Sequence, residues 1–288
     1  VPNHAAKAHP RFGLQIGALA ALCALWVGAS ADNRDACLKD FQPSTGQSGK
    51  DVVWVPTNDA LVKRMLTMAD VKPTDLVYDL GAGDGKIAIA AARDFGARAV
   101  GVEYNPDMVK LAQCYTKAEG VSDRVRIIQG DIFETDFSSA TVVTLYLLPE
   151  LNLRLRPTIL KMKPGTRVVS HSFLMDDWEP DESSSTSDGQ AYFWVVPAEV
   201  AGAWTFQAAN AKERFDARIA QTFQQITGTA GTRKRALREA KLRGDHIQFT
   251  FDDDQGPVKV EGRVNGNRID AQVTRDGQTA KFVGTKKS

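Results

Sequence analysis

Between Val77 and His171 the chain alternates short apolar runs with longer stretches whose apolar residues fall on one side of a helix. Val77-Tyr78-Asp79-Leu80, Arg98 to Glu103, Val125 to Asp131, Thr141 to Leu147 and Thr166 to His171 are the runs. The fourth is almost continuously apolar, as a strand covered on both faces must be. The intervening stretches carry helix punctuation. Thr57 can cap a helix with Leu61, Met65 and Met68 on one face. Ile87, Ile89 and Ala91 lie on a second helix that stops near Gly96. Asn105 and Pro106 open a third, which carries Met108, Val109, Leu111, Ala112 and Tyr115 and ends at Gly120. A fourth runs from Glu150 to Met162. Strands alternating with helices imply right-handed βαβ units and an α/β fold, a Rossmann-like, doubly wound, mostly parallel sheet. Asp181 to Gln190 reads as a Ser-rich acidic loop, and Tyr192 to Val196 as one more strand of the sheet.

The pattern changes near residue 199. Period-two alternation fills Arg214 to Ile219, His246 to Phe251 and Arg268 to Val273, with shorter echoes at Val258 to Val260 and Lys281 to Val283. Arg243-Gly244-Asp245, Asn265-Gly266-Asn267 and Asp276-Gly277 supply turns between them. Residues 199–288 therefore form a small antiparallel β domain, a meander or barrel, with no catalytic constellation of its own. Residues 51–198 form the α/β domain, and residues 32–50 a polar spacer without periodicity. At the other end, His4, Lys7, His9 and Arg11 precede an apolar run from Phe12 to Trp26, followed by small residues to Ala31. That is the layout of a signal peptide over residues 1–31 with a cut after Ala31. The other reading is a membrane anchor, with membrane association through this segment. Either expectation places the protein outside the cytosol, in periplasm or beyond, or on a membrane.

Composition adds limits. The 288 residues carry a formal net charge of +1, so no global electrostatic case for nucleic acid exists. Cys23, Cys37 and Cys114 make neither a disulfide framework nor zinc-site spacing, and Cys114 reads as a buried helical residue. Arg233, Lys234, Arg235, Arg238, Lys241 and Arg243 form a basic cluster, by default a solvated face.

The chemistry concentrates at the ends of the runs. In Asp79-Leu80-Gly81-Ala82-Gly83-Asp84-Gly85 an acid precedes three glycines spaced two apart. The glycines allow a ligand close to the backbone. The spacing departs from the G-x-G-x-x-G of a dinucleotide site, and Asp79 and Asp84 would repel a pyrophosphate. Acids there suit a ligand carrying an amine and a sulfonium, which points to S-adenosylmethionine (SAM). Glu103 ends the second run, placed for both ribose hydroxyls, and Asp131 ends the third, placed for an adenine amine.

These residues resemble the class I SAM-dependent methyltransferases. Val55-Pro56-Thr57, the Gly-Asp-Gly form of the glycine motif and Leu145-Tyr146-Leu147-Leu148-Pro149-Glu150 are similar to a bacterial group related to the mitochondrial lysine methyltransferases of the ATP synthase c-subunit and the adenine nucleotide translocase. The resemblance covers roughly residues 51–180. It implies SAM as cofactor, held by Trp54, Pro56, Thr57, Asp79, Gly81, Ala82, Gly83, Gly85, Glu103, Tyr104, Asp131, Ile132 and Tyr146. It implies a methyl acceptor that is a protein lysine or a small molecule. Nucleic acid is not expected, and Leu147-Leu148-Pro149-Glu150 in place of the Asp-Pro-Pro-Tyr type of motif argues against DNA adenine or glutamine methylation. Methyl transfer needs no metal. Tyr146, Glu150 and His171 are the candidates for handling the acceptor's proton. Against these roles stand plainer ones: Tyr146 packing over the cofactor, Glu150 favouring a helix N-terminus, His171 structural. An exported nucleoside-binding protein without catalysis is the alternative from another class.

Overall fold

The computed structural model describes residue 1, residues 33–209 and residues 213–287. The apolar run of residues 12–26, with the expected signal peptide or anchor, lies outside the described residues. No helix among the described residues is long and apolar enough to cross a membrane.

The first sheet contains β1 (Leu76–Leu80), β2 (Arg98–Glu103), β3 (Val125–Gln129), β4 (Val142–Leu145), β5 (Arg167–His171), β6 (Glu182–Thr186) and β7 (Gly189–Val195). They lie in the order β3-β2-β1-β4-β5-β7-β6. β1 to β5 are parallel; β7 runs antiparallel to β5 and to β6. Helices α1 (Asp59–Met68), α2 (Lys86–Phe95), α3 (Pro106–Ala118) and α4 (Pro149–Ile159) cover it. Val77, Ala99, Ile127 and Val169 pack with α1, α2 and α3 on one face. Leu80, Val102, Val143 and Val168 pack with Leu155 and Ile159 of α4, Trp178 and Trp194 on the other. Two dry faces explain why β4 is buried at all four positions. The strand order reverses between β1 and β4, which opens a crevice at their carboxyl ends.

Three local readings are corrected. The segment 181–190 is not a loop: β6 occupies most of it, an edge strand held by backbone pairing to β7 with little apolar burial. The cap of α1 is Asn58, whose side chain accepts from Leu61 N at 2.9 Å, while Thr57 is buried and bonded elsewhere. The expected spacer is structured over its described residues, 33–50. Residues 33–37 are helical, and a tight hairpin follows in which Gly49 N donates to Val52 O at 3.0 Å and Trp54 N to Gln47 O at 2.9 Å.

Cys37 is disulfide-bonded to Cys114 of α3, 77 residues away, with Cα atoms 5.8 Å apart. The expectation of no disulfide was wrong because pairing depends on proximity in the fold, which spacing does not reveal. Arg34 reinforces the anchor: its guanidinium lies 4.5 Å from the Tyr115 ring centre and its Nε 3.0 Å from Glu119.

The second sheet holds β8 (Gly202–Ala208), β9 (Arg214–Thr222), β10 (Gln225–Ala230), β11 (Arg235–Ala236), β12 (Arg238–Arg243), β13 (His246–Asp253), β14 (Gly256–Asn265), β15 (Arg268–Arg275) and β16 (Gln278–Lys286), all antiparallel, in the order β11-β10-β9-β8-β16-β15-β14-β13-β12. Leu237 N donates to Gly228 O at 2.9 Å, drawing the two ends of the sheet together into a barrel. Its interior is filled by Trp204, Phe206, Phe215, Phe249, Phe251 and Phe282, each buried. Burying each such ring contributes about 1.5–3 kcal/mol. The basic cluster is outward. Arg233 pairs with Asp254 and Arg238 with Asp252, each at 2.6 Å, on the solvated face expected of it.

Closing a 77-residue separation makes the disulfide a strong tie on the unfolded chain. Cys114→Ser should lower unfolding stability by roughly 2–4 kcal/mol. Urea unfolding of the oxidised parent, the reduced parent and the variant checks this; coincident curves for all three would mean that the pair does not form in solution.

Candidate active site

The crevice at the carboxyl ends of β1 to β4 is lined by the glycine turn after β1, the acids ending β2 and following β3, the segment after β4, and residues 47–57, from the 44–54 hairpin and the stretch that follows it. Asp79, the fourth residue of β1, pairs in register with Gly101 on one side and Thr144 on the other. It is 2% exposed and accepts a hydrogen bond from Thr144 Oγ1 at 2.7 Å. Burial raises its pKa to about 7, opposed by the Thr144 bond and reinforced by Asp84 and Glu103. Asp84 is also raised, again chiefly by burial. A cationic ligand would relieve this concentration of acid.

Glu103 ends β2 and shapes the site around itself. One carboxylate oxygen accepts from Gly83 N and the other from Asn105 N, each at 2.8 Å. It therefore links the glycine turn to the cap of α3. Gly83 has φ +55°, and a Cβ built there would lie 2.6 Å from Trp54 Nε1. Trp54 thus rests directly on the bare backbone of the turn. Asp131 accepts from Phe133 N at 2.9 Å and makes a short contact with Lys50 of the hairpin. The Lys50 ammonium keeps the Asp131 carboxyl below its ordinary range. The same ammonium lies 5.1 Å from the Tyr104 ring centre.

At the β4 side the walls become apolar. Tyr146, Leu147, Leu148, Leu151 and Phe173 face the crevice with Val53 and Val55. Tyr146 stacks on His171 at 3.7 Å between ring centres and on Phe173 at 6.3 Å. Burial raises the Tyr146 pKa, so its hydroxyl keeps its proton.

Trp54, Pro56, Thr57, Asp79, Gly81, Ala82, Gly83, Glu103, Tyr104, Asp131, Ile132 and Tyr146 all line this one crevice. Three expected site residues do not. Gly85 is the left-handed N-cap of α2; a Cβ there would meet Ala112 and Ile127, so it serves helix packing against α3 and β3. Glu150 sits exposed in the first turn of α4, the place a helix favours an acid. His171 lies behind Tyr146, with Nδ1 3.0 Å from Thr57 Oγ1, and burial lowers its pKa to about 4. It is a neutral support for the Tyr146 ring rather than a base at the surface of the crevice. Sequence reasoning missed Gln47, Lys50, Met108, Leu151 and Phe173. Phe173, two residues past the end of β5, could have been found from its place at the same sheet edge. Nothing in the sequence pattern marked Lys50.

A doubly wound sheet with a glycine turn and acids at three neighbouring strand ends defines a class I SAM-dependent methyltransferase. A family model described as the ANTKMT methyltransferase domain matches residues 79–182, ending before the barrel. A protein-lysine N-methyltransferase of Saccharolobus islandicus (strain REY15A) is 46% identical over 151 residues, covering 50% of this chain and 94% of that protein. The Xenopus laevis lysine N-methyltransferase of the ATP synthase c-subunit is 33% identical over 129 residues, covering 44% of this chain but only 56% of the frog enzyme. Among solved structures, an RNA methyltransferase from Salinibacter ruber in complex with S-adenosyl-L-homocysteine is 52% identical, with TM-score 0.50, covering 51% of this chain and 96% of that one. The chain belongs to this family of SAM-dependent methyltransferases, and SAM is its cofactor.

The raised pKa of Asp79 has a definite consequence for the cofactor-free protein. The folded state holds a proton that the unfolded state releases above pH 3.8, so this contribution is complete below that value and is lost as pH rises to about 7. The loss is at most about 4 kcal/mol. Thermal melts of the cofactor-free protein should fall across this window, and Asp79→Asn should flatten the profile. A parent profile already flat between those limits would show Asp79 ionised throughout.

Proposed function

We propose that this chain moves the methyl group of SAM to the side-chain amine of a protein lysine. The observation that carries the reading is the apolar and aromatic wall at the β4 side, formed by Tyr146, Leu147, Leu148, Leu151 and Phe173. A lysine reaching through such a wall loses water, which favours its neutral form. Neutral lysine is the nucleophile; its lone pair attacks the sulfonium methyl in line with the departing sulfur, and the ammonium formed sheds its proton to water. The site's contribution is alignment and exclusion of solvent. The name of the Saccharolobus islandicus relative, 46% identical, supports a protein lysine. The name of the Salinibacter ruber neighbour favours RNA instead. Acids outnumber bases over residues 33–198, which speaks against that second reading.

In the cofactor, Glu103 would hold the ribose hydroxyls with the lone pairs not used by Gly83 and Asn105. Asp131 would take the adenine amine, with Tyr104 and Ile132 beside the ring, and Asp79 would face the amino-acid end. We further infer that the protein works outside the cytosol. The Cys37–Cys114 disulfide supports this, since such bonds persist in oxidising compartments; free thiols at both positions in protein trapped from intact cells would contradict it.

Two measurements test the reading. Glu103→Ala should weaken SAM binding by about 1–3 kcal/mol in calorimetric titration; unchanged affinity would remove Glu103 from the site. With methyl-labelled SAM and separate protein and RNA fractions from the source cells, label should appear as methyllysine in protein hydrolysates. Label confined to RNA nucleosides would overturn the lysine reading and leave the methyltransferase assignment standing.

A further inference from the structure

The segment after β5 forms part of the acceptor-side wall through Phe173, and it is held from two directions. It begins in a tight bend: Ser172 has φ +63°, and Phe173 N donates to His171 O at 2.8 Å. From α4, Asn152 Nδ2 donates to the carbonyls of Phe173 and Leu174, both at 3.3 Å. Arg156 Nη1 donates to Met175 O at 2.7 Å and pairs with Asp177 at 2.5 Å. Asn152 is fully buried, and its Oδ1 has no partner among the described residues. The same Nδ2 lies 3.4 Å from Ser170 Oγ at the end of β5, so this buried amide ties the strand end and the two carbonyls after it to α4.

From the other direction comes the barrel. Thr222 and Gln225 pair across the end of β9 and β10, leaving Phe223 and Gln224 as a two-residue turn. Gln224 Oε1 accepts from Trp178 Nε1 at 3.0 Å, and Gln224 Nε2 donates to Glu179 O at 2.7 Å. The Phe223 ring stacks on Trp178 at 5.9 Å between centres, and the Arg156 guanidinium lies 5.4 Å from it. Trp178 itself is fully buried. Phe223 adopts φ +53°, a conformation unfavourable for a bulky residue and natural to glycine. A two-residue hairpin turn requires a positive φ at its first residue, a place suited to glycine, and the phenylalanine that stands there instead carries the ring that meets Trp178.

We propose that the β9–β10 turn of the barrel is a positioning element for the acceptor-side wall: Phe223 and Gln224 fix residues 173–179 against Asn152 and Arg156 of α4, so that Phe173 is held beside Tyr146. The barrel is then a working part of the transferase site, acting on the acceptor and not on the cofactor. The inference rests on methyl transfer at this crevice but not on the acceptor being lysine.

Phe223→Gly is the informative variant, because glycine suits the backbone there and removes only the ring. Hydrogen exchange of residues 172–180 should quicken at least tenfold, with exchange in the rest of β9 and β10 unchanged. Calorimetric titration with S-adenosyl-L-homocysteine should give the parent affinity within twofold. The apparent KM for the labelled fraction that serves as acceptor for the parent, protein or RNA, should rise at least fivefold with kcat within twofold. Asn152→Ala should do the same, and the double variant should be no worse than the poorer single one, as for two residues acting through one segment. Parent-like exchange at 172–180 in Phe223→Gly would overturn the proposal, as would full additivity of the two variants or a loss of homocysteine-nucleoside affinity matching the loss in KM. If neither fraction takes label with the parent, the exchange measurement alone decides, and quickened exchange upholds the brace while the acceptor reading fails.

Discussion

One carboxylate holds the cofactor side of this molecule together. Glu103 takes Gly83 N on one oxygen and Asn105 N on the other, both at 2.8 Å. The glycine turn after β1 and the start of α3 after β2 are thereby set at a fixed distance from each other. The turn can lie bare under Trp54 only because Gly83 offers no Cβ. The register of β1 between β2 and β4 sets Asp79 beside Thr144. The parallel sheet brings these loops to one edge, and this carboxylate fixes their spacing there.

The opposite side of the crevice follows a different logic. Its walls are aromatic and aliphatic, and its titratable groups are kept neutral: Tyr146 with a raised pKa, His171 with a lowered one. Acids gather where a cationic cofactor would offset them, and apolar surface gathers on the side of the crevice where the methyl acceptor is proposed to enter. That division follows from the strand order, since β1 to β3 carry the acids and β4 and β5 the apolar wall. The hairpin at 44–54 spans the first side, tethered upstream by the Cys37–Cys114 disulfide and touching Asp131 through Lys50. The crevice it leaves is about 260 Å³, below the roughly 300–1,000 Å³ usual for small-molecule sites. Asp131 already holds Lys50 at this edge, so an adenine amine reaching Asp131 competes with that ammonium.

Much of this was legible in the chain itself. Apolar runs ending in Asp79, Glu103 and Asp131 revealed both the parallel sheet and the cofactor edge, because buried strands leave a continuous hydrophobic signal and the functional residues terminate it. The alternating strands of residues 214–273 likewise announced an antiparallel β domain, without deciding between a meander and a barrel. What escaped notice lacks periodicity. β6 has no apolar residue and exists through its pairing with β7. Cys37 and Cys114 meet only because a structured segment packs on α3. Thr57 resembles a helix cap locally, yet the partner of its hydroxyl is His171, 114 residues away. Phe223 meets Trp178 across the join between the two domains, and Asn152 reaches Phe173 and Leu174 from α4; no local pattern reports such contacts. Gly85 and Glu150 differ the other way, as residues of the right type that lie outside the crevice and have local duties in α2 and α4.

The central claim is that three strand-end acids receive one sulfonium nucleoside under the 44–54 hairpin. A crystal structure of the complex with S-adenosyl-L-homocysteine tests it most directly. The account predicts adenine between Tyr104 and Ile132 with its amine on Asp131, the ribose hydroxyls on Glu103, and Lys50 displaced from its contact with Asp131. A nucleoside bound elsewhere, or bound with the Lys50–Asp131 contact intact and Glu103 untouched, would contradict it.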